Sequence, residues 1–168
     1  INADTGLFLP DFRSGERTFQ LVYQVAGRSG RRKKQGKAII QTYNPNDIYL
    51  QAAARLDTKK FYNISLAQRS ELFYPPFSRI SRIIFSGSVK MTVEKLADQI
   101  GNILQSGTFQ TLGPSPAPIE KIQGQWRYHI VIKVAPDTPF LLHKFLQKKL
   151  GLEILSKKTR GVKIQIDM

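Results

Sequence analysis

The sequence predicts a mixed α/β chain of the α+β kind, on two patterns and one break. Over residues 74–168, segments of strand-like alternation and segments of helical spacing follow the order β-α-β-β-α-β. Over residues 1–73 the apolar residues recur mainly at helical spacing. Between the two stands Tyr74-Pro75-Pro76-Phe77, where proline lacks an N–H to donate and restricts the residue before it. The C-terminal order is that of a ferredoxin-like split βαβ domain, a fold that hosts many functions.

Each element has its own signal. Residues 1–42 read as turn, helix, loop and strand, with Pro10 and Ser14-Gly15 punctuating the entry. Leu21, Val22, Val25 and Ala26 share a helix face, Gly27 is a stop, and residues 38–42 form a short, mostly buried strand. Asn44-Pro45-Asn46 opens a helical connector over 43–73, patterned by Leu50, Ala53, Ala54, Phe61, Ile64, Leu66 and Leu72. Residues 79–88 form a strand. Thr92 N-caps a helix with Leu96, Ile100, Ile103 and Leu104 on one face, closed by Gly107. The proline-rich stretch 112–118 is a rigid connector, and a hairpin turning near residues 123–125 returns through 126–134. Thr138-Pro139 starts the next helix, with Leu142, Phe145 and Leu146 inward and Lys144, Lys148 and Lys149 outward. Residues 161–167 close the order, Val162, Ile164 and Ile166 alternating with Lys163, Gln165 and Asp167.

Composition narrows the chemistry. The chain has 168 residues, 41% of them hydrophobic, which suffices for a core. With no cysteine there is no disulfide, thiolate zinc site or cysteine nucleophile, and two histidines cannot build a metal cage. No apolar run approaches the about 20 residues of a membrane span. The net charge is +14 and is spread over both parts: 14 Lys and Arg against 6 Asp and Glu over residues 74–168, and 12 against 6 over 1–73. Six cations fall between Arg28 and Lys37. Such a balance points to an anionic partner, nucleic acid first, against the plainer reading of a solvated cationic surface. The chain begins without Met and without a signal peptide, as a piece of a longer protein would.

The segment Gln24-Val25-Ala26-Gly27-Arg28-Ser29-Gly30-Arg31 sets two arginines three residues apart just past a helix. Glycines let the backbone approach another surface closely, and two guanidiniums can grip phosphate oxygens bidentately. This string resembles motif VI of superfamily-two helicases. The run from Asp4-Thr5-Gly6-Leu7 through Pro10-Asp11-Phe12-Arg13, Glu16-Arg17 and Gln20-Leu21 resembles the primosomal protein N′ family of replication-restart helicases. Ile40-Gln41-Thr42, Tyr74-Pro75-Pro76-Phe77, Leu112-Gly113-Pro114, Pro116-Ala117, Trp126-Arg127-Tyr128 and residues 164–167 fit the same family, so the resemblance spans the chain.

The resemblance implies an enzyme that couples ATP hydrolysis to DNA unwinding at stalled forks and loads the primosome. Residues 1–42 would end the second RecA-like motor lobe, with Arg28 and Arg31 as arginine fingers on ATP and Gln24 at the same cleft. Residues from about 74 onward would be a C-terminal domain binding branched or single-stranded DNA. Single-stranded DNA-binding protein and primosome proteins would be partners, in the cytoplasm and away from membranes. ATP and Mg²⁺ belong to the parent protein, and the family's zinc cysteines would lie upstream. Gly30 to Ala38 only approximates a P-loop, with one residue too many and no hydroxyl for Mg²⁺, and no D-E-x-H-type motif is present. This chain alone is therefore expected not to hydrolyse ATP. The alternative is a stand-alone, non-catalytic nucleic-acid-binding module with a ferredoxin-like core.

Further candidates for DNA contact are Trp126 and Arg127 at the hairpin, Arg32, Lys33 and Lys34 in the basic loop, and Lys144 and Lys148 on the last helix. Trp126 either stacks on unpaired bases or packs on the domain beneath Arg127. The basic loop attracts phosphates without reading sequence. Tyr74 and Phe77 suit packing between domains better than a DNA platform, and His129 and His143 read as ordinary surface or half-buried residues.

Overall fold

A computed structural model describes residues 2–7, 11–29, 37–138, 140–156 and 161–167. The described residues form six helices and four strands, in two compact units, 1–71 and 72–168.

The first unit is helical. α1 (Asp4–Leu7) and α2 (Ser14–Ser29) are followed by α3 (Ile48–Ala54) and α4 (Thr58–Glu71). Asp47 caps α3 by accepting from the Tyr49 and Leu50 amides, which satisfies donors that no helical carbonyl reaches. Phe19 and Val22 of α2 pack with Leu50, Ala52, Ala53 and Phe61, and the Phe19 and Phe61 rings stack at 4.0 Å. The described part of residues 1–42 thus packs on α3 and α4 within this unit. Buried Asp4 accepts from Thr42 Oγ1 (2.7 Å) and the Tyr43 amide (3.0 Å), tying the chain's first turn to that segment. Residues 38–42 are not a buried strand. They make one parallel bridge, Gln41 with Asn2, and Ile39 is 82% exposed. An apolar run is buried only where a neighbouring surface covers it, and here only Ile40 packs, half-buried, against the core of α2, α3 and α4. α4 also departs from expectation. It buries Phe61 and Ser65, whereas Leu66 is exposed, as is Leu72 beyond its end.

The second unit builds a four-stranded antiparallel sheet, ordered β2-β3-β1-β4, from β1 (Arg79–Gly87), β2 (Gln110–Ile122), β3 (Gln125–Val134) and β4 (Val162–Asp167). With α5 (Lys90–Gln105) and α6 (Leu141–Ser156) it follows the expected β-α-β-β-α-β order and is compatible with a ferredoxin-like domain. Strand alternation sends Ile83 and Phe85 of β1, Tyr128, Ile130 and Ile132 of β3, and Val162 of β4 into one core. Val93, Ala97, Ile100 and Leu104 of α5 and Leu142 and Leu146 of α6 cover that face. The opposite face carries Arg82, Ile84 and Ser86 of β1, Arg127, His129, Val131 and Lys133 of β3, and Lys163, Gln165 and Asp167 of β4.

Four boundaries move. α2 continues through Gly27 to Ser29, so Arg28 sits in its last turn rather than past it, a favourable place for a cation at the negative end of the helix dipole. α5 starts at Lys90, one turn earlier than Thr92 suggests, and its Val89 N-cap offers no side-chain bond; its end is as expected, with Ser106 as C-cap and the Gly107 amide donating to the Leu104 carbonyl. α6 runs past Leu150 to Ser156 across non-helical Gly151. Residues 112–118 are not a connector but the middle of β2. Prolines are tolerated there because β2 is an edge strand and its pairing with β3 shifts register between Leu112 and Ser115 and between Pro116 and Lys121. Gly113 (φ +95°) makes the first shift possible, since a Cβ there would stand 2.8 Å from the His129 carbonyl oxygen.

Candidate nucleic-acid interface

On β1 and β3 of the sheet face turned away from the helices, Ile84 pairs with His129, Ser86 with Arg127, and Arg82 with Val131. Arg82 and Arg127 therefore flank the Ile84–His129 pair diagonally. The edge strand closes the other side, and the group lines an open cavity of about 180 Å³ bounded by Arg82, Ile84, Arg127, His129 and residues 117–119. Arg127 reaches the Ile119 carbonyl at 3.5 Å. Arg82 lies 4.0 Å from the Asp167 carboxylate with both side chains about half exposed, a pairing too long and too wet to neutralise it. Lys163 stands on β4 across from Ser86.

His129 is the unusual member. Ser115 Oγ lies 3.4 Å from its Nε2, and its buried Nδ1 has no hydrogen-bond partner. A buried polar atom left unpaired costs about 1–3 kcal/mol and calls for an explanation. Burial lowers the imidazole pKa below its usual value, and the Arg82 and Arg127 guanidiniums push the same way, so the ring is neutral at pH 7. One end of this face is covered. Lys133 is buried, its ammonium donating to the Leu72 carbonyl (2.7 Å) and lying 3.8 Å from the Tyr74 ring centroid; burial lowers its pKa.

Trp126 and Arg127 are neighbours in sequence but send their side chains to opposite faces of the sheet. The two-residue period of β3 puts Arg127 on the open face and packs half-buried Trp126 against the helix-side core. The Trp126 ring is flanked by ammoniums rather than by Arg127: Lys121 Nζ at 4.7 Å and Lys90 Nζ at 4.9 Å from its centroid. Lys90 is itself paired with Glu120 at 2.8 Å. Lys144 and Lys148 are exposed on α6, which covers the other face of the sheet. In the first unit, Gln24 and Arg28 are exposed on α2. Arg31, Arg32, Lys33 and Lys34 lie outside the described residues. Arg82, Ser115 and His129 had no motif to mark them; the signal for Arg82 was the alternation of β1, where it precedes inward Ile83 and Phe85. His129 is half-buried, as its sequence context allows, and what the sequence did not mark is its unpaired Nδ1.

The described residues contain no helix long and apolar enough to cross a membrane and no group of three or more side chains placed to hold a metal ion.

Comparison with known proteins agrees with the residues quoted above. Residues 70–168 match the family model described as primosomal protein N C-terminal domain. Across its whole length the chain is 37% identical to the replication restart protein PriA of Bacillus subtilis, of which it covers 21%, and 37% identical to that of Chlamydia pneumoniae, covering 22%. It is 39% identical over 99% of its length to the PriA of Borreliella burgdorferi, covering 25%. The chain thus spans between a fifth and a quarter of these relatives, and it belongs to the primosomal protein N family through its C-terminal domain.

Proposed function

We propose that this chain is the C-terminal part of an ATP-dependent DNA helicase that acts in replication restart and primosome assembly at stalled forks. Residues 1–42 end its second RecA-like lobe, and residues 72–168 bind branched or single-stranded DNA. Family membership over 70–168 is the observation that carries this reading. The end of α2 supports the first role: Arg28 is exposed in its last turn, within a string that resembles a helicase motif, and Arg31 follows three residues later. Such guanidiniums stabilise charge on the terminal phosphate as it is transferred, and neither can act without nucleotide and Mg²⁺ held by upstream residues. The open sheet face supports the second role, with Arg82, Arg127 and Lys163 exposed or half-exposed on one side. Single-stranded DNA-binding protein and primosome proteins are the expected protein partners, and the cytoplasm the expected place.

Fluorescence anisotropy on labelled fork, single-stranded and duplex DNA across a salt series tests the DNA role. A fork or single-strand preference that survives rising salt, and weakens in Arg127→Ala, is expected. Equal affinity for all three, collapsing with a slope of about −0.7 to −0.9 per phosphate contact, would reduce the face to a nonspecific basic surface. The stand-alone module remains the second reading, because the sheet and two helices complete a core within 72–167. In the full-length protein, Arg28→Ala is expected to lower the DNA-stimulated ATPase kcat about 10³-fold or more with little change in KM; a kcat within a few-fold of wild type would remove the finger role from Arg28.

A further inference from the structure

We propose that the cavity between Arg82, Arg127 and His129 seats one backbone phosphate of an unpaired DNA strand, with the adjoining sugar or base lying on Ile84, Ala117 and Pro118. This inference rests on the DNA-binding reading above and names the subsite and the form of strand.

The site joins two kinds of surface. Arg82 and Arg127 come from neighbouring strands and stand on opposite corners of the Ile84–His129 pair, so their guanidiniums approach one anion from two directions. The Asp167 carboxylate is 4.0 Å from Arg82, with both side chains about half exposed, and leaves the guanidinium donors available. Between the arginines the wall is apolar, formed by Ile84 and by Ala117 and Pro118 of the edge strand. A duplex keeps its base faces stacked inside and has nothing to lay on that wall. An unpaired strand exposes sugar and base faces beside each phosphate. Surface lysines elsewhere neutralise phosphates without such a wall.

His129 turns occupancy into a pH-dependent event. The charged groups facing it are cationic, Arg82 from β1 and Arg127 from its own strand; β2 contributes the neutral Ser115, and β4 contributes Asp167 beyond Arg82 and Lys163 beyond Ser86. Without a ligand these surroundings hold the ring neutral. A phosphodiester, which carries no second ionisation near neutrality, brings a negative charge between the two arginines and favours the imidazolium. Binding therefore takes up a proton. Affinity is flat above the ring's bound-state pKa, rises as pH falls through the interval between bound and free values, and levels off below the free value.

The test uses the 168-residue chain with labelled histidine, followed by NMR as pH varies, with and without a dithymidine phosphodiester and a short oligothymidylate. His143, exposed on α6 and the other histidine in the sequence, serves as internal reference. The His129 pKa is expected to rise by about one unit on binding, with affinity for oligothymidylate growing about tenfold across that interval. Arg82→Gln, at an exposed side chain, is expected to leave the melting curve unchanged and flatten the salt dependence by about 0.7, the value of one single-strand phosphate contact. If oligothymidylate binds but neither the His129 titration nor the Arg82→Gln salt slope responds, the pocket assignment falls while the DNA-binding reading stands. If inorganic phosphate shifts His129 and no oligonucleotide binds, the DNA-binding reading falls and the unpaired-strand assignment falls with it. Preferential occupancy by an acidic peptide, displacing oligothymidylate, would likewise overturn the choice of DNA.

Discussion

Asp4 shows how much one side chain does in the first unit. It is buried, and its carboxylate accepts from Thr42 and from the Tyr43 amide. Hydrogen bonds to a charged group contribute about 1.5–3 kcal/mol, and removal also takes away the acceptor of the Thr42 hydroxyl. Asp4→Ala is expected to destabilise the unit by that amount, read as a lower urea midpoint by far-UV circular dichroism. An unchanged midpoint would show that residues 2–7 contribute nothing to the packing of 41–43. Lys133 has the matching role in the second unit, where it links Leu72 and Tyr74 to β3. Lys133→Ala is expected to cost about 1.5–3 kcal/mol and to speed proteolytic cleavage within 72–78. His129 contributes a pH dependence whose sign is set by its lowered pKa. Its stabilising neutral form is fully present above the unfolded value of 6.5 and is lost as pH falls from there through the folded value, because the unfolded ring then binds a proton that the folded ring refuses. Between pH 7 and about pH 5 the melting temperature of wild type should fall further than that of His129→Gln. Equal falls would mean that the ring is as easily protonated in the folded chain as in the unfolded one.

Among the elements, β2 departs furthest from its sequence. Three prolines and a glycine between Leu112 and Pro118 read as a connector, yet the segment is an edge strand with two register shifts. The shifts release pairing where proline has no N–H, and the second brings Ala117 and Pro118 to the cavity wall. Gly113 carries the first shift. A Cβ at φ +95° would collide with the His129 carbonyl oxygen, a backbone atom that cannot swing away. Gly113→Ala is expected to cost about 1–3 kcal/mol in backbone strain, seen as a lower urea midpoint at constant slope. It should also weaken DNA binding, because it displaces the strand that walls the cavity. A variant as stable as wild type would show that the shift is not held by this glycine. α5, by contrast, was legible from its apolar spacing, and only its start was misjudged: Thr92 is a good cap former, but the turn before it already has helical bonds to the Val89 carbonyl.

At the scale of the whole molecule, the two units differ in how much core they hold. Among the described residues, the first unit's core holds seven buried residues, three of them alanine, and the second unit's holds thirteen, most of them large. Burial of apolar area is the main stabilising term, so the smaller core is the weaker one. In hydrogen exchange, amides of β1, β3 and α5 should be protected most, and those of α2 to α4 should open first. Uniform protection across both units would mean that they unfold as one cooperative body.

The class of the second unit was legible in the sequence, because the strand and helix periods of β1, α5, β3, α6 and β4 follow one another with apolar faces long enough to read, and only β2 hides its strand behind prolines. Sequence by itself also determined the family, through residues whose packing the structure now explains in part: Glu16 pairs with Arg69, and Asp11 with Arg17. What tertiary structure alone decided was which neighbours share a face. Trp126 and Arg127 are adjacent in the chain yet belong to opposite sides of the sheet, while Arg82 and Arg127, 45 positions apart, border one cavity. Periodicity tells which residues of one strand point together. Strand order and register decide which strands they meet, and those are set by packing across the whole domain rather than by any local pattern.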